Sequence, residues 1–182
     1  MKNTRRLSVK DLTFSALFAA LVAVCSQIQI PMPVAPVNLA LFAVYLAGAL
    51  LGSRRGTISL LVYLLLAAIG APVMAGFSGG PGVLLGKTGG YVIGYLPAAW
   101  CTGFAAERWE GRMLPLAAGM TVGCLLCCLF GTLWYMHLSR LSFAACLGWC
   151  VVPFLPGDAV KVALAALLAV RLRPILKKQN LI

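Results

Sequence analysis

Six long apolar runs dominate the sequence, and breaks rich in proline, glycine, polar or basic residues separate them. The runs cover about residues 12–30, 37–51, 57–74, 88–106, 113–136 and 151–170. A helix needs about 20 apolar residues to cross the hydrocarbon core of a bilayer. Six such helices with short loops use nearly all 182 residues. The pattern therefore predicts an all-α integral membrane protein, with residues 1–182 forming a single transmembrane domain of six helices.

The composition excludes an ordinary soluble domain. Hydrophobic residues make up 62% of the chain and charged residues 10%, and the mean hydropathy is +0.96. The net charge of +11 raises the alternative of nucleic-acid binding. However, the basic residues lie in small groups between the apolar runs and do not line one face. We therefore expect the chain to contact a lipid bilayer and no nucleic acid.

The basic residues predict the orientation in the membrane. Four lie in the N-terminal segment, two in the break at 54–55, two in the break at 108–112 and four in the C-terminal tail, which makes twelve of fifteen. Cytoplasmic loops carry an excess of lysine and arginine. This count places both termini in the cytoplasm. The first run is too long for a signal peptide and lacks a small-x-small cleavage site, so we interpret it as a retained helix.

Asp158 and Lys161 are the two oppositely charged residues within one apolar run. Their spacing of three places them on one helix face. Each charge costs roughly 2.5–3.5 kcal/mol near the bilayer centre on insertion scales, so both are expected to face the bundle interior or a wet cavity. A ligand-binding pair is the leading interpretation. A structural ion pair, or Asp158 as a helix N-cap, remains open.

A glycine-rich segment separates the third and fourth runs, reading GGPGVLLGKTGGY over residues 79–91. Its glycines permit close backbone approach to a ligand, but glycine also serves helix packing in membranes. Lys87 is the one charge in the segment and is suited to meet a carboxylate. The segment is not a Walker A loop, because its lysine and threonine lead into an apolar helix on the outer side.

Other polar or small residues give weaker signals. Ala16 and Ala20 form a small-xxx-small ridge, which fits either packing within the bundle or a partner surface. Gln27 and Asn38 either line a cavity or reach lipid headgroups. Cys124 and Cys127 have CxxC spacing but lie in an apolar helix. There is no catalytic set and no metal-ligand spacing, so we expect no enzyme activity, no metal and no cofactor.

Several motifs in order resemble the BioY family. They are Pro31-Met32-Pro33, the run 46–56 (LAGALLGSRRG), the segment 79–91, and PFLPGDAVK at 153–161. Members of this family are biotin-binding S components of energy-coupling factor (ECF) transporters. The resemblance extends from about residue 10 to residue 172.

The resemblance implies a prokaryotic plasma-membrane protein that captures biotin for uptake in a pocket near the outer face. Its partners would be a transmembrane coupling subunit and two ATPase subunits. It assigns the polar ends of biotin to Asp158 and Lys161, and docking on the coupling subunit to the ridge. It implies that Gly79, Gly80, Thr88 and Tyr91 close over the vitamin. Apart from the resemblance, Lys87, Asn38 and Gln27 are further candidate ligand contacts.

Two departures from the family pattern keep alternatives open. Residues 38–41 read Asn-Leu-Ala-Leu where the family commonly has Thr-Leu-Gln-Thr, and Lys87 replaces a common proline. An S component for a different vitamin is one alternative. A small membrane enzyme using Asp158, Lys161 or the CxxC cysteines is another, as is a scaffold subunit with no ligand.

Overall fold

The structure is a computed structural model, which describes residues 8–31 and 36–179, without the side chain of Cys150. Met32 and Pro33 of the proline motif, and the basic residues before Leu7, lie outside these ranges. The elements are α1 (Val9–Gln27), β1 (Gln29–Ile30), β2 (Val37–Asn38), α2 (Ala40–Ala68), α3 (Pro81–Leu84), α4 (Gly89–Arg108), α5 (Met113–Ser139), α6 (Phe143–Cys150) and α7 (Leu155–Lys178).

Helix α1 has one face toward the bundle and one away from it. The backbone N–H of Ser8 donates to the Asp11 carboxylate at 3.0 Å, which satisfies a donor at the start of the helix. The buried face is built at helical spacing from Ser15, Phe18, Ala19 and Val22 and packs against α2. Ala16 and Ala20 lie on the exposed face.

Helix α2 is a hairpin of two arms, 40–51 and 53–68, broken at a single residue. Gly52 has φ 85° and ψ 178°, a conformation nearly restricted to glycine. A straight helix would separate residues 48 and 56 by about 12 Å. Instead, a Cβ placed on Gly56 would lie 2.9 Å from the Cα of Gly48. The two arms therefore fold back against each other.

Side chains from two other helices satisfy the backbone groups at this break. The Glu107 carboxylate of α4 accepts from the Ser53 backbone N–H at 2.7 Å and from its hydroxyl at 2.9 Å. The Arg173 guanidinium of α7 donates to the Ala49 carbonyl at 2.8 Å. The acidic Glu107 thus lies at the start of the second arm, and the basic Arg173 lies at the end of the first arm. This is the arrangement that the helix dipoles favour.

Small residues let the central helices approach closely. Gly48 of α2 lies against the Ala99 carbonyl of α4, and Gly123 of α5 lies against Ala98 on the other side of α4. Association in lipid depends on van der Waals packing, for which small residues are favoured. Helix α4 is consequently held between α2 and α5 at the centre of the bundle.

The helical fold class predicted from the sequence is confirmed in its general form. Within residues 8–31 and 36–179, three helices are long and apolar enough to cross a membrane: α1, α2 counted over its full length, and α5. The count of six helices, their sidedness and the single-domain assignment remain predictions. Some boundaries differ: α1 ends at Gln27, before a two-residue antiparallel ladder between β1 and β2, and the second arm of α2 ends at Ala68 because Gly70 and Pro72 follow.

Candidate functional site

A cavity of about 230 Å³ lies at one end of the bundle, between the start of α2, the segment 70–88 and the helices α4, α5 and α7. We call the segment 70–88 the cavity loop. The cavity is smaller than the roughly 300–1,000 Å³ typical of ligand pockets, so it suits a small molecule. Its wall is mainly apolar and aromatic, with a few polar groups.

Aromatic rings form much of the wall. Tyr91 of α4 stacks on Phe154 at a centroid distance of 6.0 Å, and the edge of its ring packs on Gly131 of α5. Tyr63 donates to the Val73 carbonyl at 3.2 Å, and it lines the cavity together with Tyr95. These rings offer a rigid apolar surface whose hydroxyl groups can also bond to a ligand or the backbone.

Asp158 and Lys161 form an ion pair in the cavity wall. Lys161 Nζ lies 2.8 Å from Asp158 Oδ1, and the residues are 6% and 5% exposed. Helix α7 begins at Leu155, so Asp158 lies inside its first turn and is not the N-cap. The carboxylate is favoured there by the helix dipole. The pair places a hydrogen-bond donor and an acceptor side by side in an otherwise apolar pocket.

Hydrogen bonds from α1 and α5 hold the cavity loop in place. Gln27 Nε2 donates to the Met74 carbonyl at 3.0 Å, and Gln27 Oε1 accepts from the Phe77 N–H at 2.9 Å. Ser26 donates to the Val73 carbonyl at 2.7 Å. Trp134 of α5 donates from Nε1 to the Gly86 carbonyl at 2.9 Å. The loop is therefore fixed at both ends, although it has little regular structure.

The structure brings together five of the predicted ligand-binding residues. They are Asp158, Lys161, Tyr91, Thr88 and Asn38, and all of them line the cavity.

The other four predicted residues lie outside the cavity wall. Lys87 is exposed, and Gln27 fixes the cavity loop through its amide. Gly80, with φ 95°, donates from its N–H to the Ala67 carbonyl, and Gly79 packs on the Ala71 backbone. Ligand contacts by these four remain predictions.

Sequence reasoning missed a second group of wall residues. The members of this group with a hydroxyl or thiol side chain are Ser26, Tyr63, Ser78, Tyr95, Cys127 and Cys128. Tyrosine within a long apolar run is a usable signal, because its buried hydroxyl requires a partner. Cysteine gives no such signal, since it behaves as a small hydrophobic residue.

Comparison with known proteins gives a consistent result. A model of the BioY family matches residues 1–178. The chain is 38% identical to the "Probable biotin transporter BioY" of Pyrococcus horikoshii, over 92% of this chain and 98% of that one. It is 36% identical to the "Biotin transporter BioY" of Thermotoga maritima, over 91% of this chain and 96% of that one.

A solved structure shares the fold. It is the crystal structure of the S-component for biotin from an ECF-type ABC transporter, with a TM-score of 0.85 and 31% sequence identity. The match covers 96% of this chain and 95% of that chain. Both the fold and the cavity-forming segments therefore lie within the region of similarity.

Proposed function

Because this chain belongs to the BioY family, we propose that it is a biotin-binding S component of an ECF transporter. The observation in this chain that supports the proposal most directly is the buried Asp158–Lys161 pair in the wall of a small aromatic cavity. The similar proteins are named as transporters and not as enzymes. The function is thus reversible capture of the vitamin, with no covalent step.

The ion pair matches the polar groups of biotin. The ureido ring presents N–H donors beside a carbonyl acceptor. The Asp158 carboxylate accepts from an N–H, while the Lys161 ammonium donates to the carbonyl or to the carboxylate of the valerate chain. Charge-assisted hydrogen bonds of this kind are roughly twice as strong as neutral ones. Specificity follows because a ligand without these groups leaves a buried pair without its partners.

The aromatic wall provides the apolar part of the affinity. Tyr91 and Phe154 form one stacked surface, against which the thioether ring and the methylene chain of biotin can lie. Burial of apolar surface contributes roughly 25 cal/mol per Å². Thr88 and Asn38, which also line the cavity, are the proposed polar contacts at the edge of this surface.

Uptake in this proposal requires partner subunits. The chain would dock on a transmembrane coupling subunit through the exposed ridge of Ala16 and Ala20, and two ATPase subunits would supply the energy. Small residues on an outward helix face allow a partner helix to approach closely.

The proposed topology counts the two arms of α2 separately. With α1, α4, α5 and α7 they give six crossings, both termini in the cytoplasm, in a prokaryotic plasma membrane. The variants Glu110→Cys and Ser142→Cys test the sidedness, because both positions are exposed and lie at opposite ends of α5. A membrane-impermeant maleimide added to intact cells should label Ser142→Cys alone, above the level of the unsubstituted chain. Labelling of Glu110→Cys from outside would contradict this topology.

Biotin binding to the detergent-purified chain tests the function. Isothermal titration should show one saturable site, which Asp158→Asn and Lys161→Ala each weaken at least tenfold, about 1.4 kcal/mol. Lys177→Ala is the matched control, because this lysine is exposed near the end of α7 and lies outside the cavity wall; the affinity of this variant for biotin should stay within twofold of the unsubstituted chain. Competition with other vitamins separates biotin from the alternative ligands. A well-folded chain that binds no biotin would refute the assignment.

A further inference from the structure

Two cysteines and an aspartate lie together beneath the cavity. Cys124 and Cys128 are one turn apart on α5, and Asp158 faces them from α7. Their sulfur and oxygen atoms all lie within 4.8 Å of one another, and all three residues are buried. We call this set the thiol–carboxylate cluster. It differs from the CxxC pair in the sequence, because the Cys127 sulfur turns away and donates to the Tyr91 carbonyl at 3.4 Å.

The spacing within the cluster fits a tetrahedral metal ion. Cys124 Sγ lies 3.6 Å from Asp158 Oδ2. Zinc binds thiolate sulfur at about 2.3 Å and carboxylate oxygen at about 2.0–2.2 Å, so tetrahedral angles place these two ligand atoms about 3.6 Å apart. Lys161 contacts the other carboxylate oxygen, Oδ1. The oxygen that faces the sulfur atoms is therefore available to a metal.

The charges around the cluster also fit a divalent ion. Two thiolates and one carboxylate carry three negative charges, which a divalent cation and the Lys161 ammonium balance. Without a metal, the thiols are neutral and the aspartate and lysine balance each other. When the metal binds, the two thiols release their protons to the solvent. The site is thus electrically neutral in both states, which matters because an uncompensated charge is costly in a buried site.

A neighbouring phenol completes the arrangement. The Tyr45 hydroxyl is buried and has no hydrogen-bond partner in the described part of the chain. It lies close enough to Cys124 to interact with that side chain electrostatically. A phenol donates readily to a thiolate, and such outer contacts orient metal ligands.

We propose that Cys124, Cys128 and Asp158 bind a thiophilic divalent cation of the zinc class, with a fourth coordination position facing the cavity. Cys128 and Asp158 both line that cavity. On the proposed function, the metal and biotin share Asp158, so the metal competes with the vitamin. Metal binding itself does not depend on the identity of the vitamin.

Cadmium is a suitable probe, because its thiolate complexes absorb in the ultraviolet. The reduced, detergent-purified chain should bind one equivalent of CdCl₂ in the absence of biotin, with an absorbance that corresponds to two thiolates. Cys124→Ser and Cys128→Ser should each weaken cadmium binding at least tenfold, and Asp158→Asn should also weaken it. Cys127→Ser is the control and should retain the full signal. Each variant must elute from size exclusion like the unsubstituted chain.

The same samples separate this inference from the proposed function. If the chain binds cadmium as expected but not biotin, the vitamin assignment fails and the metal site stands. If both bind, saturating cadmium should lower the affinity for biotin at least tenfold in the unsubstituted chain and leave it unchanged in Cys124→Ser/Cys128→Ser. Undiminished cadmium binding by that double variant, or loss of the signal in Cys127→Ser, overturns the metal site.

Discussion

At the scale of single residues, the Asp158–Lys161 pair is the strongest constraint on the interior. Both side chains are buried, so each provides the neutralising charge for the other. A buried ion pair often contributes little net stability, whereas removal of one partner is strongly destabilising because it leaves an unpaired charge. This agrees with the proposed role of the pair in ligand recognition.

This reasoning predicts a double-mutant result. Lys161→Met and Asp158→Asn should each destabilise the chain by about 3–5 kcal/mol, whereas the double variant should recover most of that loss, because it leaves no charge behind. Reversible denaturation in detergent, followed by circular dichroism, measures the coupling. Biotin binding should stay weak in all three variants. If the free energy of unfolding falls in the double variant by the sum of the two single-variant decreases, the pair does not act as a unit.

The site residues differ in how well the sequence reveals them. Asp158 and Lys161 are predictable because charge in an apolar run is costly and so implies an interior position. Gln27 was expected at the cavity, yet its amide bonds to the loop that closes it; an amide satisfies either a ligand or a backbone equally well. The association of Cys128 with Cys124 and Asp158 depends on how α5 is rotated toward α7, which local sequence does not specify.

At the scale of elements, the break in α2 shows what sequence can and cannot predict. The two apolar runs and the Gly-Ser-Arg-Arg-Gly sequence between them predict a change of direction, and the structure has one at Gly52. The sequence does not show that the helix resumes at the next residue. That geometry depends on Glu107 and Arg173, which come from distant parts of the chain.

Two glycines with positive φ provide a matched test of the break. Gly52→Ala places a methyl group on the Glu107 carboxylate, whereas Gly70→Ala meets no atom within 4 Å. Both substitutions carry a backbone strain of about 1–3 kcal/mol. Gly52→Ala should therefore lower the free energy of unfolding by clearly more than Gly70→Ala, because it also displaces the cap of the second arm. If thermal unfolding shows the same loss of stability in Gly52→Ala and Gly70→Ala, the contact with Glu107 contributes nothing to stability.

At the scale of the whole molecule, the fold was predictable because lipid leaves few options. A bilayer requires that backbone groups be satisfied within each segment, so apolar runs of this length become helices. The short helices α3 and α6 and the two-residue ladder were not predicted. They lie between the long runs, where neighbouring side chains and not the solvent decide the conformation.

The proposed docking role of the Ala16 and Ala20 ridge can be tested in the assembled complex. Ala16→Leu/Ala20→Leu should abolish copurification with the coupling subunit, because the added side chains separate the two helices. Biotin binding by the isolated chain should not change, since both positions face away from the bundle. Ala163→Leu on the exposed face of α7 is the control for added bulk. Retained copurification in the double variant would place the interface elsewhere.

The contact between Arg173 and Ala49 joins residues 124 positions apart. A ribosome produces the α2 hairpin long before it produces either Glu107 or Arg173, and synthesis proceeds at about 5–20 residues per second. Until those residues have been made, the backbone groups at the Gly52 corner of the hairpin can bond only with water or lipid headgroups. The native break is thus completed only when α7 emerges, and the nascent chain stays adjustable at this corner until then.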